Sequence, residues 1–317
     1  MSDTKADPQQ RIAEGMDLLK PERGPASWRQ GIDLIETLSA EGHGQASEQC
    51  ALFEAMGVGR SCNWEKAFDR LQQAAAQGWA RAQEELRLLA RSDSESWQDL
   101  RRSLSVDKLM SAPPVELLER SPRIGIVRKF ATPEECAWLI GCARATLAPS
   151  TVYDFETGEL RRDPKRTNSY TPCNPFDVGI VPEVIRARLS RTIGFPLDHF
   201  EMSQILHYSV GQEFKPHHDY FDPDKPGFQR EIEFLGQRVA TQLIFLNHEF
   251  QGGETHFPSI GLAYRGGTGD ALMFFNINES GDPDPLTLHT GLPPTEGEKW
   301  IFSQWIREHR PRPQPPA

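Results

Sequence analysis

Residues 208–221 read YSVGQEFKPHHDYF, and within them His217 and Asp219 stand two apart. Tyr208 to Phe214 reads as a strand. Side chains two apart on the extended segment that follows point to the same side, so His217 and Asp219 can grip one ion. A third ligand must come from elsewhere in the chain, and His289 sits in TLHTGLPP, ahead of a last strand. Two histidines and one carboxylate on one face leave three positions of a metal open, the arrangement of non-haem Fe(II) oxygenases, although zinc sites also use three protein ligands. An HxD pair alone is weak evidence, because His199-Phe200-Glu201 has the same form and an isolated histidine is most often structural. Lys299 adds context. It lies ten residues after His289 in EKWIFSQW, on an apolar strand, and a lysine pointing into a core is costly unless it meets an anion. A dicarboxylate co-substrate supplies one.

Outward from this segment, SQILHYSV, RVATQLIFLN, DALMFFNI and KWIFSQWI read as strands separated by Gly/Pro/Asp turns, which predicts an all-β sandwich or barrel core. Before them PRIGIVRKF reads as a strand. Thr132-Pro133-Glu134-Glu135 reads as a helix start, with Thr132 capping and Pro133 at the first position.

The first hundred residues carry apolar positions at helical spacing. They also repeat: WRQGIDLIETLSAEGHGQA from Trp28 lies over WEKAFDRLQQAAAQGWARA from Trp64, with Gly42 over Gly78 and Ala46 over Ala82. Such an offset, with small residues at helix crossings, suits stacked antiparallel helix pairs, and Gly42 and Gly78 are expected as helix C-caps. The segment resembles the Sel-type repeat, a relative of the tetratricopeptide repeat. That resemblance implies a concave face for a protein partner or for docking on the neighbouring domain. From Arg91 the chain turns polar (SDSESWQDLRRSLS), and Ala112-Pro113-Pro114 breaks any helix. The expected organisation is therefore α+β in two domains. A helical repeat region occupies 1–92, a linker 93–122, a β domain with flanking helices 123–310 and a disordered Pro-rich tail 311–317.

Composition excludes several classes of function. The 317 residues carry 35 basic and 45 acidic side chains, a net charge of −10 spread evenly over both parts of the chain. With no basic block to neutralise phosphates, nucleic acid is not an expected partner. No apolar run approaches the roughly 18 residues of a membrane span, and MSDTKADPQQ lacks an apolar leader core, so no membrane partner is expected. Five cysteines, without a CxxC, suit a reducing, cytoplasmic setting.

Taken together, YSVGQEFKPHHDYF, RVATQLIFLN, GGETHFP, GDALMFFN and LHTGLPPTEGEKWIFSQWI resemble, in order and spacing, the prolyl 4-hydroxylase-type 2-oxoglutarate- and Fe(II)-dependent dioxygenases over residues 123–310. The resemblance implies a double-stranded β-helix, a jelly roll closing two sheets over a metal pocket. It implies His217, Asp219 and His289 as catalytic iron ligands and Lys299 as the partner of the distal carboxylate of 2-oxoglutarate, with Tyr208 and Thr241 beside the co-substrate. Arg238 and Trp305 match positions associated with a peptide substrate. Arg166 and Asn168, in VYDFETGELRRDPKRTNSY, match the rim of a substrate-covering loop. His218 and His256 are expected not to be ligands. The implied cofactors are Fe(II), 2-oxoglutarate and L-ascorbate as reductant. The implied reaction consumes O2 and hydroxylates an amino-acid side chain, a peptidyl proline first of all, while 2-oxoglutarate becomes succinate and CO2. One position departs from the pattern: Phe214 stands where prolyl hydroxylases of this type often carry a tyrosine. A non-prolyl side chain or a small metabolite therefore remains an alternative substrate. A catalytically inactive interaction protein working through the helical repeat is the alternative from another class.

Overall fold

The helix that Thr132 and Pro133 announce runs over Pro133–Arg144, closed by a reciprocal cap. The Thr132 hydroxyl accepts from the Glu135 backbone N–H at 3.2 Å, and the Glu135 carboxylate accepts from the Thr132 N–H at 2.9 Å. Thr132→Ala is expected to lower stability by about 1 kcal/mol. That loss should appear as an earlier urea midpoint with an unchanged m-value.

The computed structural model describes residues 7–154 and 159–309. The tail from 311 lies outside the described residues, as do residues 155–158 of the expected substrate-covering loop. The chain forms two units, one of residues up to Ser111 together with Pro175–Arg188, the other of Ala112–Asn174 and residues from Leu189 onward.

The first unit is helical. Helices Gly24–Ala40 and Gly44–Met56 form one antiparallel pair, and Trp64–Ala76 and Ala80–Ala90 form the next at the same offset as the sequence repeat. Gly42 and Gly78 sit just past their helices at φ +97° and +85°, the left-handed turn a C-terminal glycine allows. Gly44 permits close approach: a Cβ there would stand 2.7 Å from the Trp79 Cβ. Ile35, Leu38, Cys50 and Phe53 form the buried seam.

Residues 93–122, expected as a linker, carry regular structure. They hold helices Trp97–Ser103 and Val106–Met110 and strand Glu116–Glu119. The serines read as linker are caps: Ser96 and Ser105 accept from the N–H groups of Asp99 and Lys108. Leu100, Leu109 and Met110 are buried. Within the same unit, Glu85 is fully buried and accepts from the N–H groups of Ile180 (2.6 Å) and Val181 (3.2 Å), at the start of helix Val181–Ile193. Burial, reinforced by Glu48, pushes the Glu85 carboxyl well above the usual carboxylate range.

The second unit is built on antiparallel sheet. An eight-stranded sheet runs in the spatial order Glu116–Glu119, Ile124–Val127, Ala271–Phe275, Arg238–Phe245, Lys299–Arg307, Gln204–Tyr208, Ser169–Pro172, Ala148–Pro149. A four-stranded sheet runs Leu262–Tyr264, Thr255–Phe257, His289–Gly291, Phe214–His217. Alternate residues of both sheets (Ile124 and Ile126, Leu206 and Tyr208, Leu272 and Phe274, Phe257) meet in one core, with Phe257 edge-on to Phe274 at 5.2 Å. The strand expected to run from Tyr208 to Phe214 is two strands, Gln204–Tyr208 and Phe214–His217. Gly211, at φ +80°, lies in the turn between them. The chain thereby leaves the large sheet and enters the small one just ahead of the HxD motif.

Candidate metal centre

Register brings the distant motifs together. In the small sheet His289 pairs with His217. In the large sheet Lys299 pairs with Tyr208, and Thr241 lies between Trp305 on one side and Phe274 on the other. The ligating atoms of His217, Asp219 and His289 all lie within 4.8 Å of one another. His217 Nε2 stands 3.6 Å from Asp219 Oδ1, and His289 Nε2 stands 3.7 Å from Asp219 Oδ2.

The outer nitrogens fix the tautomers. His217 Nδ1 is 2.8 Å from the Lys215 carbonyl and His289 Nδ1 is 3.0 Å from the Thr287 carbonyl. A carbonyl only accepts, so each Nδ1 carries its hydrogen and each Nε2 is turned toward the carboxylate. Burial, then neighbouring His289, holds the His217 imidazole well below its ordinary pKa and therefore neutral. Burial alone would raise the Asp219 carboxyl. The two imidazoles, the field of Arg238 and the Thr241 hydroxyl together bring it below the usual range. Two imidazoles and a carboxylate converging on one point are a donor set that fits Fe(II).

His217, Asp219 and His289 line a cavity with Lys299, Tyr208 and Thr255. Lys299 is 2% exposed. Among the described residues its Nζ has no hydrogen-bonding or ion-pair partner, and it lies 5.0 Å from the centre of the Tyr208 ring. Burial pulls its ammonium down to about 7, with Glu254 partly opposing. A buried ammonium facing a cavity without a counter-ion fits an anionic co-substrate. Burial likewise pushes the Tyr208 phenol up to about 12, so it stays protonated.

The remaining expected site residues fall in different places. Trp305 and Arg166 line the cavity. The Arg166 guanidinium donates to the amide oxygens of Asn168 (3.2 Å) and Gln204 (3.3 Å) and lies 4.9 Å over the Phe214 ring. Phe214 in turn stacks on the His217 imidazole, centroids 3.5 Å apart at 14°. Thr241 does not line the cavity; its hydroxyl donates to Asp219 Oδ2 at 2.7 Å. Arg238 grips Glu201 with two bonds of 2.7 Å and lies over the Trp305 ring, so it is tied to the cavity wall. Of the two histidines set aside, His218 bonds to the Pro285 carbonyl and stacks on Tyr220, and His256 pairs with Thr290 in the small sheet.

Two contributors had no signal in the reading of the sequence. Glu201, met only as part of a look-alike motif, anchors both Arg238 and Arg307. Asn276, the last residue of the GDALMFFN segment, donates to the Thr241 hydroxyl at 3.0 Å.

A family model described as the 2OG-Fe(II) oxygenase superfamily matches residues 203–307, which contain the three converging ligands and Lys299. The chain is 34% identical over 207 residues to prolyl 4-hydroxylase 1 of Arabidopsis thaliana, covering 61% of this chain and 71% of that relative. It is 35% identical over 217 residues to prolyl 4-hydroxylase 5 of the same organism, covering 62% and 72%. Among solved structures it is similar to the viral collagen prolyl hydroxylase of Paramecium bursaria Chlorella virus-1 in its 2OG complex. That match has 26% identity and a TM-score of 0.45, over 58% of this chain and 94% of that one.

Proposed function

This chain belongs to the prolyl 4-hydroxylase family of 2-oxoglutarate- and Fe(II)-dependent dioxygenases, and on that premise we propose that it hydroxylates a peptidyl proline at the centre formed by His217, Asp219 and His289. The observation that carries the assignment is the pair of carbonyl-fixed Nδ1–H groups, which aim both Nε2 atoms at the Asp219 carboxylate. The enzyme uses Fe(II) and 2-oxoglutarate, which together supply O2 activation coupled to decarboxylation of 2-oxoglutarate to succinate and CO2 and to oxygen insertion into a C–H bond.

The chain's own residues bind, orient and exclude water. His217, Asp219 and His289 would hold the metal, and a set of only three protein ligands would leave it accessible to co-substrate and O2. The Lys299 ammonium takes the distal carboxylate, and a charge-assisted hydrogen bond there fixes which end of the co-substrate meets the centre. Leu243 and Ile301, which also line the cavity, keep that bond in a dry, low-dielectric setting. Tyr208, held protonated, is a second donor beside Lys299. Arg166 and Trp305 border the cavity where a peptide would approach, and ascorbate serves as reductant.

The two sheets with their shared core support a jelly-roll reading of residues 123–310. The paired helices support a Sel-type repeat in residues 1–92, whose role we place in binding a protein partner. The small number of cysteines, five in 317 residues without a CxxC, supports a cytoplasmic setting. Among the described residues no helix is long and apolar enough to cross a membrane.

Phe214 favours a second reading, the same iron chemistry on a non-prolyl side chain or a small metabolite. Its stack on His217 puts an apolar ring where the family often has a hydroxyl. Incubation with Fe(II), 2-oxoglutarate and proline-containing peptides, followed by mass spectrometry, separates the readings. We expect succinate release together with one added oxygen atom localised to proline. Oxygen added to another residue, or succinate release that only a free metabolite stimulates, would remove the prolyl assignment.

A further inference from the structure

We infer that Asn276 is a positioning residue for the metal site, acting through Thr241 to set the orientation of the Asp219 carboxylate. The inference rests on the metal-site reading above and adds a residue to it.

Asn276 is fully buried, directly after strand Ala271–Phe275, and its backbone is held on both sides. Its N–H donates to the Val239 carbonyl at 2.9 Å, and its carbonyl accepts from the Asp284 N–H at 2.9 Å. The side chain is therefore aimed by the sheet, not by its own rotamer freedom. From Asn276 Nδ2 to Thr241 Oγ1 is 3.0 Å, and from Thr241 Oγ1 to Asp219 Oδ2 is 2.7 Å. Thr241 is 1% exposed.

The direction of the relay follows from donor counting. The Asp219 carboxylate only accepts, so the single Thr241 proton points at it. The Thr241 oxygen can then only accept from the other side, which requires Asn276 to present its NH2 group and not its carbonyl. An acceptor at 276 would compete with Asp219 for the same proton. The relay thus holds Oδ2 against Thr241 and resists rotation of the carboxylate about its Cβ–Cγ bond. Among the described residues, Oδ1 has no hydrogen-bond donor and remains available to a metal.

A second observation points to function over stability. Asn276 Oδ1 is buried without a hydrogen-bond partner among the described residues. An unpaired buried amide oxygen costs free energy that an apolar residue at 276 would not cost. What the amide provides in return is one donor at Thr241.

The experiment is a Co(II) titration, Co(II) being a redox-stable probe of the Fe(II) site, read by visible absorption on the full chain. The variants are Asn276→Ala, Thr241→Val, Thr241→Ser, Asn276→Ala/Thr241→Val and His289→Ala. Asn276→Ala and Thr241→Val are each expected to weaken Co(II) binding by about 10- to 100-fold and to alter the absorption envelope. The double variant should lose no more than Thr241→Val alone, because both act through one bond, and Thr241→Ser should restore wild-type binding. If Asn276→Ala does not fold, Thr241→Val, close to threonine in volume, decides by itself. Co(II) affinity within twofold of wild type in folded Asn276→Ala or Thr241→Val overturns the inference, while loss of binding in His289→Ala leaves the metal site standing. A wild-type protein that binds no Co(II) overturns both.

Discussion

His289→Ala is expected to lower turnover by about 10³-fold or more, equivalent to roughly 4 kcal/mol of metal-supplied stabilisation of the transition state. His289 is 4% exposed and packs against Phe274 at 4.8 Å and Phe257 at 5.6 Å. The substitution therefore also opens a hole in the core, at a cost of about 2 kcal/mol. Thermal melting with and without metal separates the two effects. Wild type should gain about 2.7 kcal/mol at a metal concentration near 100 Kd, through binding to the folded state alone. The variant should start from a lower midpoint and gain nothing. Undiminished succinate production by a folded His289→Ala protein would sink the ligand assignment.

Lys299→Met should separate function from stability in the opposite sense. A charge-assisted bond to a buried carboxylate contributes about 3 kcal/mol at the upper end, so KM for 2-oxoglutarate should rise by about 100-fold. The free protein should become more stable, because methionine fills similar space without a charge to desolvate. The pH dependence has a definite sign. In the free protein the ammonium titrates at about 7, against about 10.4 in an unfolded chain. The unfolded chain binds the extra proton between those values, so this group makes stability rise with pH from about 7 to about 10, and its penalty is full below 7. Lys299→Met should flatten that rise. Binding of the dicarboxylate needs the charged form, so 2-oxoglutarate affinity in wild type should weaken as pH climbs above about 7 and be pH-independent there in the variant. Calorimetric titration at several pH values reads this directly, and a wild-type affinity constant from pH 6 to 9 would contradict it.

The chemistry of the site was legible where it is local. His217 and Asp219 report their shared direction through spacing alone, and Lys299 is conspicuous because a charge in WIF-type apolar sequence is expensive. The reciprocal cap of Thr132 and Glu135 is a four-residue event and reads as one. What escaped depends on partners far apart in sequence. Thr241 meets Asn276 only because two strands pair in a particular register, and Asp219 reaches Thr241 from outside both of those strands. Arg238 looks the same in the sequence whether it faces a substrate or clasps Glu201. The serines near residues 96 and 105 read as linker because caps and loops draw on the same residue types, and the apolar residues that settle the matter, Leu100 and Met110, find their cover only in the fold.

The excursion of Pro175–Arg188 into the helical unit has a consequence for how this architecture can have been assembled. A gene fragment starting after Ser111 would encode both sheets, yet it would carry a helix whose leading amides at Ile180 and Val181 are satisfied by Glu85, outside the fragment. The chain passes between the two units three times, near 111, 174 and 188, so a single recombination breakpoint cannot separate them. Dividing the chain at Ser111 would therefore leave the helical unit without the segment Pro175–Arg188 that completes it.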